Sequence, residues 1–304
     1  KTVGDTVSIE TAQRSILLEL LFVVGAILGH IFNLIVSCSR NFQHFLEKET
    51  VVLKAATNGD FSVTVPVSSN DEYGVMAKHT NLMVQGLKRR TEELQKAQDV
   101  TILSLASLAE TRDNETGNHI LRTQRYIKEL ALQVKDENGS NLDEETVDLL
   151  FKSAPLHDIG KVGIPDNILL KPGKLSDDEF AIMKTHANLG SESLEVAENE
   201  LGSSSFLRYA REIAISHHER WDGTGYPCKL QGEQIPLSGR LMAVADVYDA
   251  LISKRVYKPA FSHEEAKKII VEGRGTHFDP RIVDVFLASE TRFQEIAGEF
   301  EDRM

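Results

Sequence analysis

The chain has 304 residues, enough for one large domain with smaller modules beside it. Its formal net charge of −12 excludes a reader of duplex DNA, which needs a basic face for the phosphates, so no DNA partner is expected. The two cysteines, Cys38 and Cys228, have no CxxC partner and cannot build a disulfide framework, a usage that fits a reducing compartment.

The chain opens on Lys1 rather than Met and reads as a fragment, with residues 1–15 as the end of an upstream, extracytoplasmic segment. Residues 16–36, ILLELLFVVGAILGHIFNLIV, are apolar over a length that matches the roughly 17–25 residues needed to cross a bilayer. Glu19, His30 and Asn33 interrupt the run, and Glu19 stands near one end, within reach of the interface. No basic segment precedes the run and no small-residue cleavage site follows it, which argues against a signal peptide. The alternative is a buried helix of a soluble bundle. Arg14 lies on one side, and Arg40, Lys48 and Lys54 on the other, so the positive-inside tendency puts the C-terminal side in the cytoplasm.

Residues 37–88 predict a helix, a connector and a second helix. Phe45, Val52 and Ala55 supply an apolar face ahead of the break Asn58-Gly59-Asp60. An extended stretch from Phe61 to Pro66 follows, and a second helix starts near Asp71-Glu72, two acids suited to a helix N-terminus. Met76, Leu82, Met83 and Leu87 continue that helix. Gly59-Asp60-Phe61, Val65-Pro66-Val67, Asp71-Glu72-Tyr73-Gly74 and Asn81-Leu82-Met83 resemble the HAMP signal-relay module, although the usual proline early in its first helix is absent. The resemblance implies a parallel homodimeric four-helix bundle. Residues 89–103 read as a helical linker. Leu87, Leu94, Ala97 and Thr101 outline a short coiled-coil seam, with Arg89, Arg90, Glu92, Glu93 and Lys96 on the other face. A solvated amphipathic helix is the alternative.

From Ser104 to Met304 no long alternating strand pattern occurs, and an all-α domain is expected, with loops at 135–144, 160–175 and 222–237. Ser176-Asp177-Asp178-Glu179 and Ser262-His263-Glu264-Glu265 are capping boxes. Asp279-Pro280 pairs an N-cap with proline at the first helical position. Ile182, Ala245, Tyr248, Leu251, Ile269, Val283 and Phe286 supply core faces.

Eight imidazoles and carboxylates stand out in this domain: Glu115, His119, His157, Asp158, His186, His217, His218 and Asp246. This donor set suits iron or manganese first, with nickel, zinc or magnesium also possible. Glu115 and His119 are four apart and share a helical face. His157-Asp158 closes the helix that carries Leu149-Leu150-Phe151, with Gly160 two residues on. His186 is expected on the helix capped at Ser176, and His217-His218 ends the run Ile213-Ala214-Ile215. Asp246 sits among Ala243, Val244, Ala245 and Val247, where an unpartnered carboxylate would be costly to bury. Five histidines and three carboxylates exceed the needs of one ion. Three divalent ions would outweigh the three carboxylates and leave a positive pocket for a phosphoester in an acidic protein. The alternative for any one histidine is an ordinary core or surface side chain.

His157-Asp158-Ile159-Gly160-Lys161, with His217-His218-Glu219, Asp222-Gly223 and Gly225-Tyr226-Pro227, resembles the HD-GYP family of cyclic dinucleotide phosphodiesterases in the HD superfamily. The likeness runs from about Leu103 to Phe286 and takes in Asp246-Val247-Tyr248-Asp249, Arg255-Val256-Tyr257-Lys258 and Gly275-Thr276-His277-Phe278-Asp279-Pro280. It implies hydrolysis of cyclic di-GMP to linear pGpG and on to GMP, with two or three divalent ions activating water and neutralising the phosphate. Val256 stands where proline is common. Glu115 stands where many members have tyrosine; members with glutamate there resemble the trinuclear subgroup, so this position favours three ions.

By the same resemblance Asp158 and Lys161 are the catalytic pair, with Lys161 as the cation for the scissile phosphate. Gly225, Tyr226 and Pro227 would line the nucleotide pocket, Arg255 and Lys258 would hold the second phosphate, and Asp113 would touch a guanine. Read without the family, Lys161, Arg255 and Lys258 are surface charges. The whole implies a homodimer in the bacterial inner membrane with its catalytic domain in the cytoplasm, controlled through HAMP. The other readings are a mixed cyclic GMP–AMP substrate, a degenerate module that binds without catalysis, and an HD phosphohydrolase of another nucleotide.

Overall fold

A computed structural model describes residues 2–112, 117–136, 142–201, 206–253 and 260–300. Asp113, Glu115, Arg255 and Lys258, each expected at the site, lie outside the described residues. The described residues are helical, as expected. They contain no strand, only an isolated bridge between Arg274 and Phe278. The chain divides into two compact units, Lys1–Gln95 and Lys96–Met304.

In the first unit, α1 (Thr2–Thr57) runs unbroken through the apolar segment. One stretch of it is long and apolar enough to cross a membrane, and none of that stretch is buried. The helix ends where Gly59 takes φ +82°, a left-handed conformation that costs glycine little. Asp71 then accepts from the backbone N–H groups of Tyr73 (3.1 Å) and Gly74 (3.2 Å), which opens α2 (Glu72–Thr111). The connector is pinned to α2 by Asn81, whose amide accepts from Val65 N (2.8 Å) and donates to Val65 O (2.9 Å). A small core forms from Val52, Val65, Ala77 and Val84, with Phe45 and Phe61 packed against it.

This core departs from the apolar face expected for the second helix. Met76, Leu82, Met83 and Leu87 are all exposed, and Ala77 and Val84 are buried instead. Residues 76 and 83, like 77 and 84, are seven apart, and one position turns a helix by about 100°. A single chain therefore buries one edge of a wide apolar stripe and leaves the other uncovered. Leu87, Leu94, Ala97 and Thr101 are exposed as well.

The second unit begins within α2. It continues with α3 (Gly117–Asp136), α4 (Glu144–Ser153), α5 (Asp166–Leu169), α6 (Asp177–Met183), α7 (His186–Leu201), α8 (Phe206–Ser216), α9 (Leu237–Ile252), α10 (His263–Glu272), α11 (Pro280–Ala288) and α12 (Glu290–Glu299). Both capping boxes form, at Ser176 with Glu179 and at Ser262 with Glu265, and Asp279 caps α11 ahead of Pro280. The stretch expected as a loop at 160–175 instead holds a 3₁₀ turn, Ile159–Gly163, and α5. One core joins α3, α4 and α8 to α12, with Tyr126 stacked on Phe293 at 4.5 Å and Tyr248 edge-on to both. A second core brings Ile102 and Ala106 of α2 together with Ile120, Leu156, Leu194, Leu207 and Ala214.

Candidate metal centre

Four helix ends deliver the histidines. After α4 the chain tightens into a 3₁₀ turn, Ala154–Leu156, and His157 and Asp158 follow it. Their place against α7 depends on Gly160. A Cβ there would lie 2.0 Å from His186 O and 2.5 Å from Gly190 N, so only glycine lets the two backbones approach. His186 is not on the helix capped at Ser176. That helix, α6, stops at Met183, and His186 is the first residue of α7. The reason is local: Thr185 turns back on Ile182 O through both its N–H (2.9 Å) and its hydroxyl (2.7 Å), and His186 Nδ1 takes Met183 O at 2.7 Å. His217 and His218 follow the last residue of α8, and Asp246 lies mid-way along α9.

The backbone decides which ring nitrogen faces inward. His157 Nδ1 is 3.0 Å from Ala154 O, and His217 Nδ1 is 3.0 Å from Ile213 O. A carbonyl only accepts, so Nδ1 carries a hydrogen in these rings and in His186, and each Nε2 is the nitrogen that faces the interior. His119 reaches the same state through a carboxylate: its Nδ1 lies 2.8 Å from Asp249 Oδ2. Asp249 is fully buried and gripped by Arg122, with Nε 2.6 Å from Oδ1 and a terminal nitrogen 2.9 Å from Oδ2.

Two groups result, Asp158 with His186, His217 and His218, and Glu110 with His119 and His157. Within each group the ligand atoms lie within 4.8 Å of one another. Asp158 stands between them. Its Oδ1 is 3.3 Å from His186 Nε2 and 3.5 Å from His217 Nε2, and its Oδ2 is 3.4 Å from His157 Nε2. Asp246 Oδ1 lies 3.7 Å from His119 Nε2 and 4.0 Å from His157 Nε2.

Donor atoms that share one ion through bonds of about 2.1 Å stand about 3.0 to 4.2 Å apart in octahedral geometry. Asp158 Oδ1, His186 Nε2 and His217 Nε2 are buried without a hydrogen-bond partner, a state that is costly unless a cation completes it. The residues present therefore fit a divalent ion in each group, with Asp158 able to bridge.

The electrostatics agree. Burial opposes ionisation of Asp158, yet Lys161 and His157 hold its carboxyl well below the usual range. Burial pushes His157 down, but the neighbouring Asp158 outweighs it and raises the imidazole to about 9, so His157 would have to give up a proton to hold an ion. Burial and the adjacent His217 press His218 well below the ordinary range, which keeps it a neutral donor. Lys161 Nζ is 2.7 Å from Asp158 Oδ2, in the 3₁₀ turn that follows the His-Asp pair.

The loop from Glu219 to Leu230 closes one side. Glu219 is almost fully buried, and its carboxylate accepts from Cys228 N (2.6 Å) and Leu230 N (3.1 Å). A Cβ at Gly225 would come within 2.4 Å of Arg220 N, so the loop folds this tightly only with glycine. Tyr226 consequently stacks on His218, centroids 4.8 Å apart, with Pro227 beside it. Trp221 and Asp222 N–H groups donate to His277 O (3.1 Å) and Thr276 O (2.9 Å), which ties the loop to the turn before α11.

Residues 104–282, more than half of the chain, match the HD domain family. The chain belongs to that family. Relatives of this HD protein in Vibrio cholerae carry functional names. It is 55% identical over 294 residues to a cyclic di-GMP phosphodiesterase, covering 96% of this chain and 60% of the relative. It is 59% identical over 217 residues to a probable cyclic di-GMP phosphodiesterase, covering 70% and 49%. It is 40% identical over 229 residues to 3'3'-cGAMP-specific phosphodiesterase 2, covering 75% and 40%. The HD chain thus spans between two fifths and three fifths of these relatives' own lengths.

Sequence reasoning missed three supporting side chains of the HD centre. Asp249 is three residues after Asp246 on one apolar helix, and that spacing is a readable signal for a paired role. Arg122 is likewise one turn after His119. Glu110 offered no such signal, because it stands nine positions before His119, more than two helical turns away.

Proposed function

We propose that this chain is a metal-dependent phosphodiesterase that hydrolyses cyclic di-GMP to linear pGpG and GMP. One observation carries the reading: Asp158 presents one oxygen to His186 and His217 and the other to His157, so that one carboxylate could serve both groups of donors. His119, His157, Asp158, His186, His217, His218, Asp246 and Glu115 are the ligands in this reading, for two or three ions of iron or manganese character. When bound, these ions supply an activated water and neutralise the phosphate. Lys161 holds the scissile phosphate beside Asp158, and Gly225 and Pro227 shape the wall from which Tyr226 meets the nucleotide. Arg255 and Lys258 take the second phosphate, and Asp113 a guanine edge.

In the same proposal the apolar part of α1 anchors the chain in the bacterial inner membrane, and residues 37–88 act as a HAMP relay in a homodimer. The uncovered stripe of Met76, Met83, Leu87 and Leu94 supports the dimer, since contiguous exposed apolar residues mark interaction surfaces. A mixed cyclic GMP–AMP substrate is the second reading, favoured by the 40% identical relative of that name. Turnover of metal-loaded protein on cyclic di-GMP, cyclic GMP–AMP and cyclic di-AMP decides between them. Preferred hydrolysis of cyclic di-GMP supports the first reading. A metal-loaded protein that binds these nucleotides and hydrolyses none is a degenerate module.

A further inference from the structure

Glu110 lies on the last turn of α2 and is only 2% exposed. The helix around it belongs to the second unit. Ile102 and Ala106 enter the core with Ile120 and Leu156, and Ala109 is buried as well. Two residues on, Arg112 donates to Val162 O and to Asp166, on the segment that follows the His-Asp turn. Within this frame Glu110 Oε1 stands 3.7 Å from His119 Nε2, the same separation that Asp246 Oδ1 keeps from that nitrogen. The ligand atoms of Glu110, His119 and His157 all lie within 4.8 Å of one another, and His119 Nε2 and His157 Nε2 are 3.5 Å apart. These separations suit donors around one divalent ion. Glu110 and His119 are nine positions apart in the chain, so packing of α2 against α3 creates the proximity.

We propose that Glu110 is a metal ligand of the His119–His157 half of the centre, so that α2 ends in a donor to the catalytic metal. The inference rests on the metal-dependent reading above and deepens it. The helix that carries this ligand is the one along which a relay signal would run, and a small displacement of its last turn would carry the Glu110 carboxylate out of coordination range.

The test uses the full chain in detergent, with metal counted by elemental analysis, retention measured against a competing chelator, and melting followed with and without metal. Glu110→Gln preserves shape and removes the charge. Retention of one ion per chain is expected to fall by at least about 10-fold, while the metal-free melting temperature holds or rises, because one buried carboxylate is gone from an acidic cluster. Glu110→Asp is expected to retain metal between the parent and Glu110→Gln, and it decides the matter if Glu110→Gln does not fold. Full metal retention in Glu110→Gln overturns the proposal. So does loss of an ion in Glu115→Gln alone, or a fall in metal-free stability with metal retention unchanged. A parent that hydrolyses no cyclic dinucleotide, yet whose Glu110→Gln variant sheds an ion, refutes the proposed activity and leaves this ligand standing.

Discussion

The second unit and the first are incomplete in opposite ways. The second closes a large apolar core within one chain, and its centre holds buried polar atoms without partners: Asp158 Oδ1, His186 Nε2 and His217 Nε2. Among its described residues the first buries Val52, Val65, Ala77 and Val84 as its core and leaves a run of large apolar side chains in the open. In the proposed function an ion would complete the polar atoms of the second unit, and lipid or another protein surface would cover the apolar face of the first.

The sharpest way to break this comparison is Asp158→Ala. Among the described residues Asp158 is the carboxylate that both histidine sets face, so turnover should fall by at least about 10³-fold, and elemental analysis should find metal missing from both groups. Retained metal with lost turnover would show that Asp158 acts on substrate alone. Arg122→Ala comes next. It leaves Asp249 fully buried without its guanidinium, which should lower stability by about 3–5 kcal/mol in denaturant titration of the metal-free chain. Asp249→Asn should instead preserve most of the fold and weaken metal retention about 10- to 100-fold, because His119 loses the carboxylate that orients it.

Smaller effects sharpen the contrast. Gly225→Ala places a Cβ 2.4 Å from Arg220 N and should cost about 1–3 kcal/mol. Metal content should stay the same while KM rises, since Tyr226 moves from its place on His218. A change in metal content would show that the loop also holds the ions. Smallest for the chain itself is Leu94→Lys, at a position that is 72% exposed. Stability should shift by no more than about 0.5 kcal/mol, while light scattering in detergent should register a smaller dimer fraction. An unchanged oligomeric state would mark the 87–101 face as merely solvated.

What the sequence alone determined were features written within a few residues of each other. Ser176 with Glu179, Ser262 with Glu265, and Asp279 with Pro280 set helix starts, because a cap acts over one turn. The apolar run of α1 and the His-Asp and His-His pairs were equally local, and with the Gly225-Tyr226-Pro227 loop they were enough to point to the HD family. Tertiary structure alone decided which edge of the α2 stripe is buried, that His186 opens α7 rather than extending α6, that Asp249 and Arg122 stand behind His119, and that Glu110 reaches the centre. Each of these depends on two backbones meeting, as at Gly160 against His186 O, or on side chains brought together across as many as 130 positions, as His119 and Asp249 are. Helical periodicity sets only which way a side chain faces on its own helix, and packing sets what it finds there.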